Sequence, residues 1–290
     1  MLESLRRGFR WLILAVSMAG LGCGASSPPL GDVAVIEEVV RIPMLDRGQA
    51  ITLEGTLFSR DVPGRLPLIV INHGTPRNAA DRANPRSRYY EQSKWLVEHG
   101  MVVLIPMRRG YAGSGGVYSE GYGTCESPGY AAAGMATADD IRAAIEFAGA
   151  DRRVDPRRIV VAGHSAGGWG SLIFATLYPQ TGIAVVNFAG GRGSPSPGVV
   201  CSEDVLVAAM RLYGPRMRVP SLWVYSENDM YFNPQLSMRM FEAFQQGGSA
   251  ATMVRLPAFG ADGHRVFPDA SAMPLWTPAV EEFLRSARVF

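Results

Sequence analysis

The chain has 290 residues, 47% of them hydrophobic and 19% charged. That is enough apolar material for one large α/β domain or two small ones, and too much for extended disorder. Its 28 basic and 26 acidic residues leave a formal charge of +2 without a dense basic run, so the electrostatic footprint of a nucleic-acid-binding protein is absent. Lys94 is the only lysine, which leaves neither a phosphate-binding Gly-Lys-Ser/Thr loop nor a Schiff-base lysine with a candidate. No Cys-x-x-Cys and no pair of histidines at helical spacing occurs, so neither a metal nor another cofactor is expected.

At the start of the chain, Arg6, Arg7 and Arg10 precede the apolar run Trp11 to Ala19 and the small residues that follow. This is the pattern of an export signal over residues 1–25, too short to span a bilayer as a mature anchor. Leu21-Gly22-Cys23 resembles the end of a bacterial lipoprotein box, which implies lipidation of Cys23 and attachment to the cell envelope through that lipid alone. Simple cleavage after Ala25, giving a periplasmic or secreted protein, is the alternative. Ser26-Ser27-Pro28-Pro29 reads as a tether, so residues 26–45 hold the tether and a first strand. Export would leave Cys125 and Cys201 in an oxidising compartment, where a disulfide between them is expected, with two separate buried thiols the alternative.

Strand-like and helix-like segments then alternate. Val33 to Ile42 and Ala50 to Phe58 read as strands around a turn at Asp46-Arg47-Gly48. Leu68 to Asn72, Met101 to Ile105, Arg158 to Ala162, Ile183 to Phe188, Ser221 to Tyr225 and Thr252 to Leu256 are further short β-rich runs. Helices are expected at Ser87 to His99, Ala131 to Ala150, Ser165 to Tyr178, Glu203 to Tyr213, Pro234 to Gln246 and Pro278 to Ala287. Such alternation predicts a mostly parallel sheet with helices on both faces. Between Arg108 and Gly129 runs a long Gly- and Tyr-rich loop of the kind that usually serves function.

The β-rich run Ile159 to Ala162 leads into Gly163-His164-Ser165-Ala166-Gly167-Gly168 and then a helix. In that setting G-x-S-x-G is a nucleophile elbow: a sharp turn lifts Ser165 off the sheet and leaves the Ala166 N–H at a helix N-terminus, suited to an oxyanion. Serine needs a base, and His264 is the only one of the four histidines downstream of Ser165. Asp229, just past the strand Ser221 to Tyr225, is the expected acid. Glu227 is the runner-up, and Asp262 is too close in sequence to His264 to serve and should shape its loop. After the strand Leu68 to Asn72, Thr75 is the expected second oxyanion donor and Gly74 the alternative, with His73 bracing that loop. Tyr111, Tyr118 and Trp169 are candidate pocket residues, although packing of loop against core would explain them equally.

Together Gly163-x-Ser165-x-Gly167, Asp229, His264 and His73-Gly74 resemble the α/β-hydrolase superfamily. Arg109-Gly110-Tyr111-Ala112-Gly113-Ser114 resembles the R-G-Y-x-x-S motif of dienelactone-hydrolase-like and prolyl-oligopeptidase-like members. The resemblance spans about residues 45 to 290 and implies an α/β-hydrolase fold: an eight-stranded, mostly parallel sheet over a catalytic domain of residues 46–290. It also implies hydrolysis through an acyl-enzyme. True dienelactone hydrolases use a cysteine nucleophile where this chain has Ser165, so a serine esterase acting on a small-molecule ester is the expectation. A small-peptide amidase or aminopeptidase of the same fold is the alternative, and a non-catalytic envelope-binding lipoprotein is the alternative from another class. Neither the acyl and alcohol groups nor the oligomeric state can be read from the sequence.

Overall fold

The computed structural model describes residues 34–290; the expected signal segment, Cys23 and the start of the tether lie outside the described residues. Eight strands form a single sheet in the order β1-β2-β4-β3-β5-β6-β7-β8. Strands β1 (Ile36–Asp46) and β2 (Gln49–Ser59) pair antiparallel along their whole length around the two-residue turn Arg47-Gly48. Both turn residues have positive φ, 50° and 82°, the geometry whose twist matches that of the flanking strands. The first strand is thus part of the same sheet as everything after residue 46, and the hairpin joins the remainder through β2 against β4.

The other strands are parallel: β3 (Leu66–Asn72), β4 (Val102–Pro106), β5 (Val154–His164), β6 (Ala184–Phe188), β7 (Ser221–Ser226) and β8 (Ala251–Leu256). Their near-continuous apolar runs follow from burial on both faces. In β3 the alternation divides them: Leu68 and Val70 join one core, Ile69 and Ile71 the other. The first core packs against α2 (Tyr130–Gly149), α3 (Ala166–Leu177), α4 (Glu203–Tyr213) and α5 (Pro234–Gln245), through side chains such as Ile141, Leu172, Met210 and Phe244. The second packs against α1 (Tyr90–Glu98) and α6 (Met273–Ser286), through Leu96, Trp276 and Leu284. Helix α5 starts as its sequence predicts, with Asn233 accepting from the Leu236 N–H at 2.9 Å and Pro234 in the first turn.

Two helices differ from expectation. Helix α1 begins at Tyr90 rather than Ser87, because Tyr89 turns left-handed at φ 41°. Helix α6 begins at Met273, five residues before the expected start at Pro278, and carries Pro278 inside it. Pro274 occupies the first turn, where a missing N–H costs nothing, while the apolar face of Trp276, Val280 and Leu284 supplies the burial that tolerates the internal proline.

Candidate active site

The carboxyl ends of the parallel strands assemble the site, as expected for an open α/β sheet. Strand β5 ends at His164, and Ser165 stands at its tip with φ 55° and ψ −121°, a strained conformation held by its surroundings. The elbow has no room for side chains on either flank. A Cβ on Gly163 would lie 2.4 Å from the Gly167 backbone, and one on Gly167 only 2.1 Å from the Asn72 carbonyl oxygen. Gly167→Ala should therefore cost at least about 3 kcal/mol and lower Tm by about 6–12 °C, since the clash is with backbone. Thermal denaturation of the purified variant checks this, and an unchanged Tm would refute the close approach.

His264 is buried and enters the site from the loop after β8. Its Nδ1 lies 3.1 Å from each carboxylate oxygen of Asp229. The Nδ1–H therefore donates to the carboxylate, which fixes the orientation of the ring. Asp229 Oδ1 also accepts from the N–H groups of Tyr231 at 2.7 Å and Phe232 at 2.9 Å, which fixes the carboxylate. Glu227, the runner-up acid, is exposed and makes no such contact. Asp262 shapes the loop, accepting from the N–H groups of His264 and Met230 at 2.9 and 3.0 Å. Ser165 and His264 line one cleft together with His164 and Thr75, without a hydrogen bond between the Ser165 hydroxyl and the ring. Such contacts commonly tighten when substrate binds.

Two of the other histidines, His164 and His73, hold the frame. Burial, with His264 alongside, drives the His164 pKa far down, so it stays neutral and its Nε2–H donates to the His264 carbonyl at 2.8 Å. Burial and then the Arg108 charge push His73 down to about 3. The neutral His73 ring donates from Nδ1 to the Gly74 carbonyl at 2.7 Å and accepts the Arg108 N–H on Nε2 at 3.2 Å, bracing the loop as expected. Gly74 packs against Ser165, where a Cβ would come within 3.2 Å of the Ser165 Cβ. The N–H groups of Thr75 and Ala166 both border the Ser165 cavity and carry no hydrogen bond among the described residues.

Several site residues have no clear mark in the sequence. Glu120, fully buried, is the hub beneath the Thr75 loop. Its carboxylate takes hydrogen bonds from Arg108, from Arg192 at 2.7 Å, from the Tyr111 hydroxyl at 3.2 Å and from the Thr75 hydroxyl at 3.3 Å. Burial opposes its charge, but the two guanidiniums prevail and hold its pKa well below the usual carboxylate range. Tyr231 lies flat against His264, ring centroids 3.8 Å apart at 13°, and Arg77 covers the Tyr231 ring at 3.5 Å. The only sequence cue was position: Glu120 is one of two acids in the Arg108 to Gly129 loop, and Tyr231 stands two residues past Asp229.

The three candidate pocket residues separate. Tyr118 lines the cavity that opens from Ser165. Tyr111 is 2% exposed and spends its hydroxyl on Thr75 and Glu120, so it supports the Thr75 loop from below while bordering an adjoining cleft. Trp169 belongs to the core, a correction to the expectation. One helical turn past Ser165 it points back toward α2, where Gly134 leaves it room and its Nε1–H donates to the Tyr130 carbonyl at 3.1 Å. Cys125 and Cys201 form a disulfide with Cα atoms 4.7 Å apart, joining the loop after β4 to the loop after β6. Tyr122 of the first loop and Arg192 to Pro195 of the second line the Ser165 cavity. Reduction should cost about 2–4 kcal/mol and raise KM more than it lowers kcat, because the bridge ties the walls and not the Ser165 and His264 loops. Urea unfolding and steady-state kinetics with and without reductant test both halves.

A sequence model of the prolyl oligopeptidase family (Peptidase_S9) matches residues 87–190, which contain the R-G-Y-x-x-S motif and the elbow. Over 133 residues the chain is 29% identical to poly(3-hydroxyalkanoate) depolymerase C of Paucimonas lemoignei. That match covers 45% of this chain and 29% of the relative, under a third of its length. The fold superposes on a Klebsiella pneumoniae subsp. pneumoniae structure assigned as a dienelactone hydrolase, with TM-score 0.59 and 16% identity over 86% of this chain and 98% of that one. It also superposes on the acylaminoacyl peptidase of Pyrococcus horikoshii, with TM-score 0.61 and 18% identity over 87% of this chain and 41% of that one. The chain has the α/β-hydrolase fold, and its segment 87–190 matches the prolyl oligopeptidase family pattern.

Proposed function

We propose that this protein is a serine esterase that cleaves small carboxylic esters through an acyl-enzyme on Ser165. The observation that carries the reading is the His264 imidazole, held by both Asp229 oxygens beside a Ser165 whose backbone is strained into the cleft. His264 Nε2 takes the hydroxyl proton as Ser165 Oγ bonds to the ester carbonyl carbon, and Asp229 stabilises the imidazolium. The N–H groups of Thr75 and Ala166 receive the developing oxyanion, each such donor being worth about 10²–10³ in kcat. His264 returns the proton to the leaving alcohol. Water, activated by the same base, then releases the acid. The similarity to a polyester depolymerase and to a structure assigned to a lactone-cleaving enzyme supports ester bonds as the target.

Labelling with a fluorophosphonate, followed by rates on p-nitrophenyl esters of increasing chain length and on peptide p-nitroanilides, tests the reading. Labelling of Ser165 with ester turnover well above anilide turnover is expected. Anilide preference would favour the peptidase alternative that the family match supports, and absence of labelling would favour a binding protein. The Cys125–Cys201 bridge supports export to an oxidising compartment. No helix among the described residues is long and apolar enough to cross a membrane.

A further inference from the structure

The cavity that opens from Ser165 encloses about 350 Å³, at the small end of small-molecule sites. Three arginines line it, Arg77, Arg82 and Arg192, and no carboxylate does among the described residues. Arg192 is 4% exposed and is neutralised by Glu120, though Glu120 is shared with Arg108. Arg77 and Arg82 form no ion pair among the described residues, Asp81 in the adjoining cleft included. Each instead lies on a tyrosine that lines the same cavity: Arg77 at 3.5 Å over Tyr231, Arg82 at 4.1 Å over Tyr118. Arg77 is further held by Ser194, its Nε donating to the carbonyl at 3.1 Å and its Nη2 to the hydroxyl at 2.8 Å. Its Nη1 has no partner among the described residues.

Stacking fixes the plane of each guanidinium and leaves Arg77 Nη1 and the edge donors of Arg82 for a carboxylate. Tyr231 separates Arg77 from His264 by one ring thickness, so an anion on Arg77 lies within a short chain of the reacting carbonyl. We propose that Arg77 and Arg82 form an anion subsite, and that the substrate is an ester bearing a second, free carboxylate. The inference rests on the esterase reading of Ser165 and names the class of ester. It also disfavours a substrate with a free amino terminus, whose positive charge would meet Arg77 and Arg82.

Two matched pairs of esters decide the matter: p-nitrophenyl hemiglutarate against its methyl ester, and 4-acetoxybenzoate against methyl 4-acetoxybenzoate. The first pair puts the carboxylate on the acyl side, the second on the leaving group. Wild-type kcat/KM is expected to favour the acid over the neutral ester by about 10- to 100-fold in at least one pair, the size of a charge-assisted contact in a half-open cleft. That ratio should shrink as salt rises toward 1 M. In Arg77→Gln and Arg82→Gln the same ratio should fall about tenfold each, and in Arg82→Glu it should fall further. The ratio is the readout, so a general loss of activity cancels, and the salt series needs no variant to fold. Cleavage of the neutral esters with no preference for the acids, or a preference that every variant keeps, overturns the anion subsite and leaves the esterase reading standing. Failure of the wild type to cleave any of the four esters overturns both.

Discussion

Ser165→Ala and His264→Ala are each expected to lower kcat for ester hydrolysis by about 10³–10⁶-fold, with losses far from additive in the double variant. The reason is geometric. Ser165 occupies the elbow between β5 and α3, and His264 is the imidazole beside it that is oriented by a carboxylate. His73 and His164 cannot substitute, because both are buried, neutral and already committed to backbone carbonyls. Asp229→Asn should follow with a loss of about 10⁴, since an amide in its place no longer fixes the tautomer or stabilises the imidazolium. Glu227→Gln should change kcat by less than about threefold, because Glu227 faces solvent. Steady-state kinetics on a short-chain p-nitrophenyl ester measures all four. A His264→Ala enzyme with near-normal turnover sinks the assignment.

Glu120→Gln should destabilise the protein by about 3–5 kcal/mol at pH 7. The substitution keeps the shape of the side chain but leaves Arg108 and Arg192 buried without a counter-charge. The pH dependence has a definite sign. The folded-state pKa of Glu120 is held below its unfolded value of about 4.3, so its contribution is complete above that pH. It is lost as pH falls from there toward the folded-state pKa. The stability gap between wild type and Glu120→Gln should therefore be constant from about pH 7 to 5 and narrow below about pH 4. Urea unfolding at several pH values checks this; a gap that widens in acid would show that Glu120 is not held as a carboxylate. Because the Thr75 and Tyr111 hydroxyls donate to the same carboxylate, kcat should also fall, by about tenfold, through misplacement of the Thr75 loop, the proposed oxyanion donor.

Much of this architecture is written locally. Strands β3 to β8 were legible because a strand buried on both faces must be apolar throughout, and parallel neighbours need a crossover of about a dozen or more residues, here helical each time. The elbow was legible because its two close backbone approaches admit only glycine. His264 followed from there being no other histidine after Ser165. Asp229 followed from its place just beyond β7, where its carboxylate lies 3.1 Å from His264 Nδ1. Helix α6 was misplaced because Pro278 looks locally like a first-turn residue, whereas burial of Trp276 against Phe188 and Phe267 carries the helix past it.

What the sequence by itself determined is the order of strands and helices, the elbow serine and its histidine, because each depends on local sterics or on the scarcity of a residue type. Only the tertiary structure decided that Trp169 belongs to the core, that Glu120 anchors the Thr75 loop, and that Arg77 covers the Tyr231 ring that stacks on His264. Those contacts join residues 12 to 154 positions apart, most of them between loops with no periodicity of their own, so no local pattern records them. Charge pairing and ring stacking are properties of which loops meet, and the sheet, by bringing the ends of β3, β4, β6, β7 and β8 to one edge, decides that.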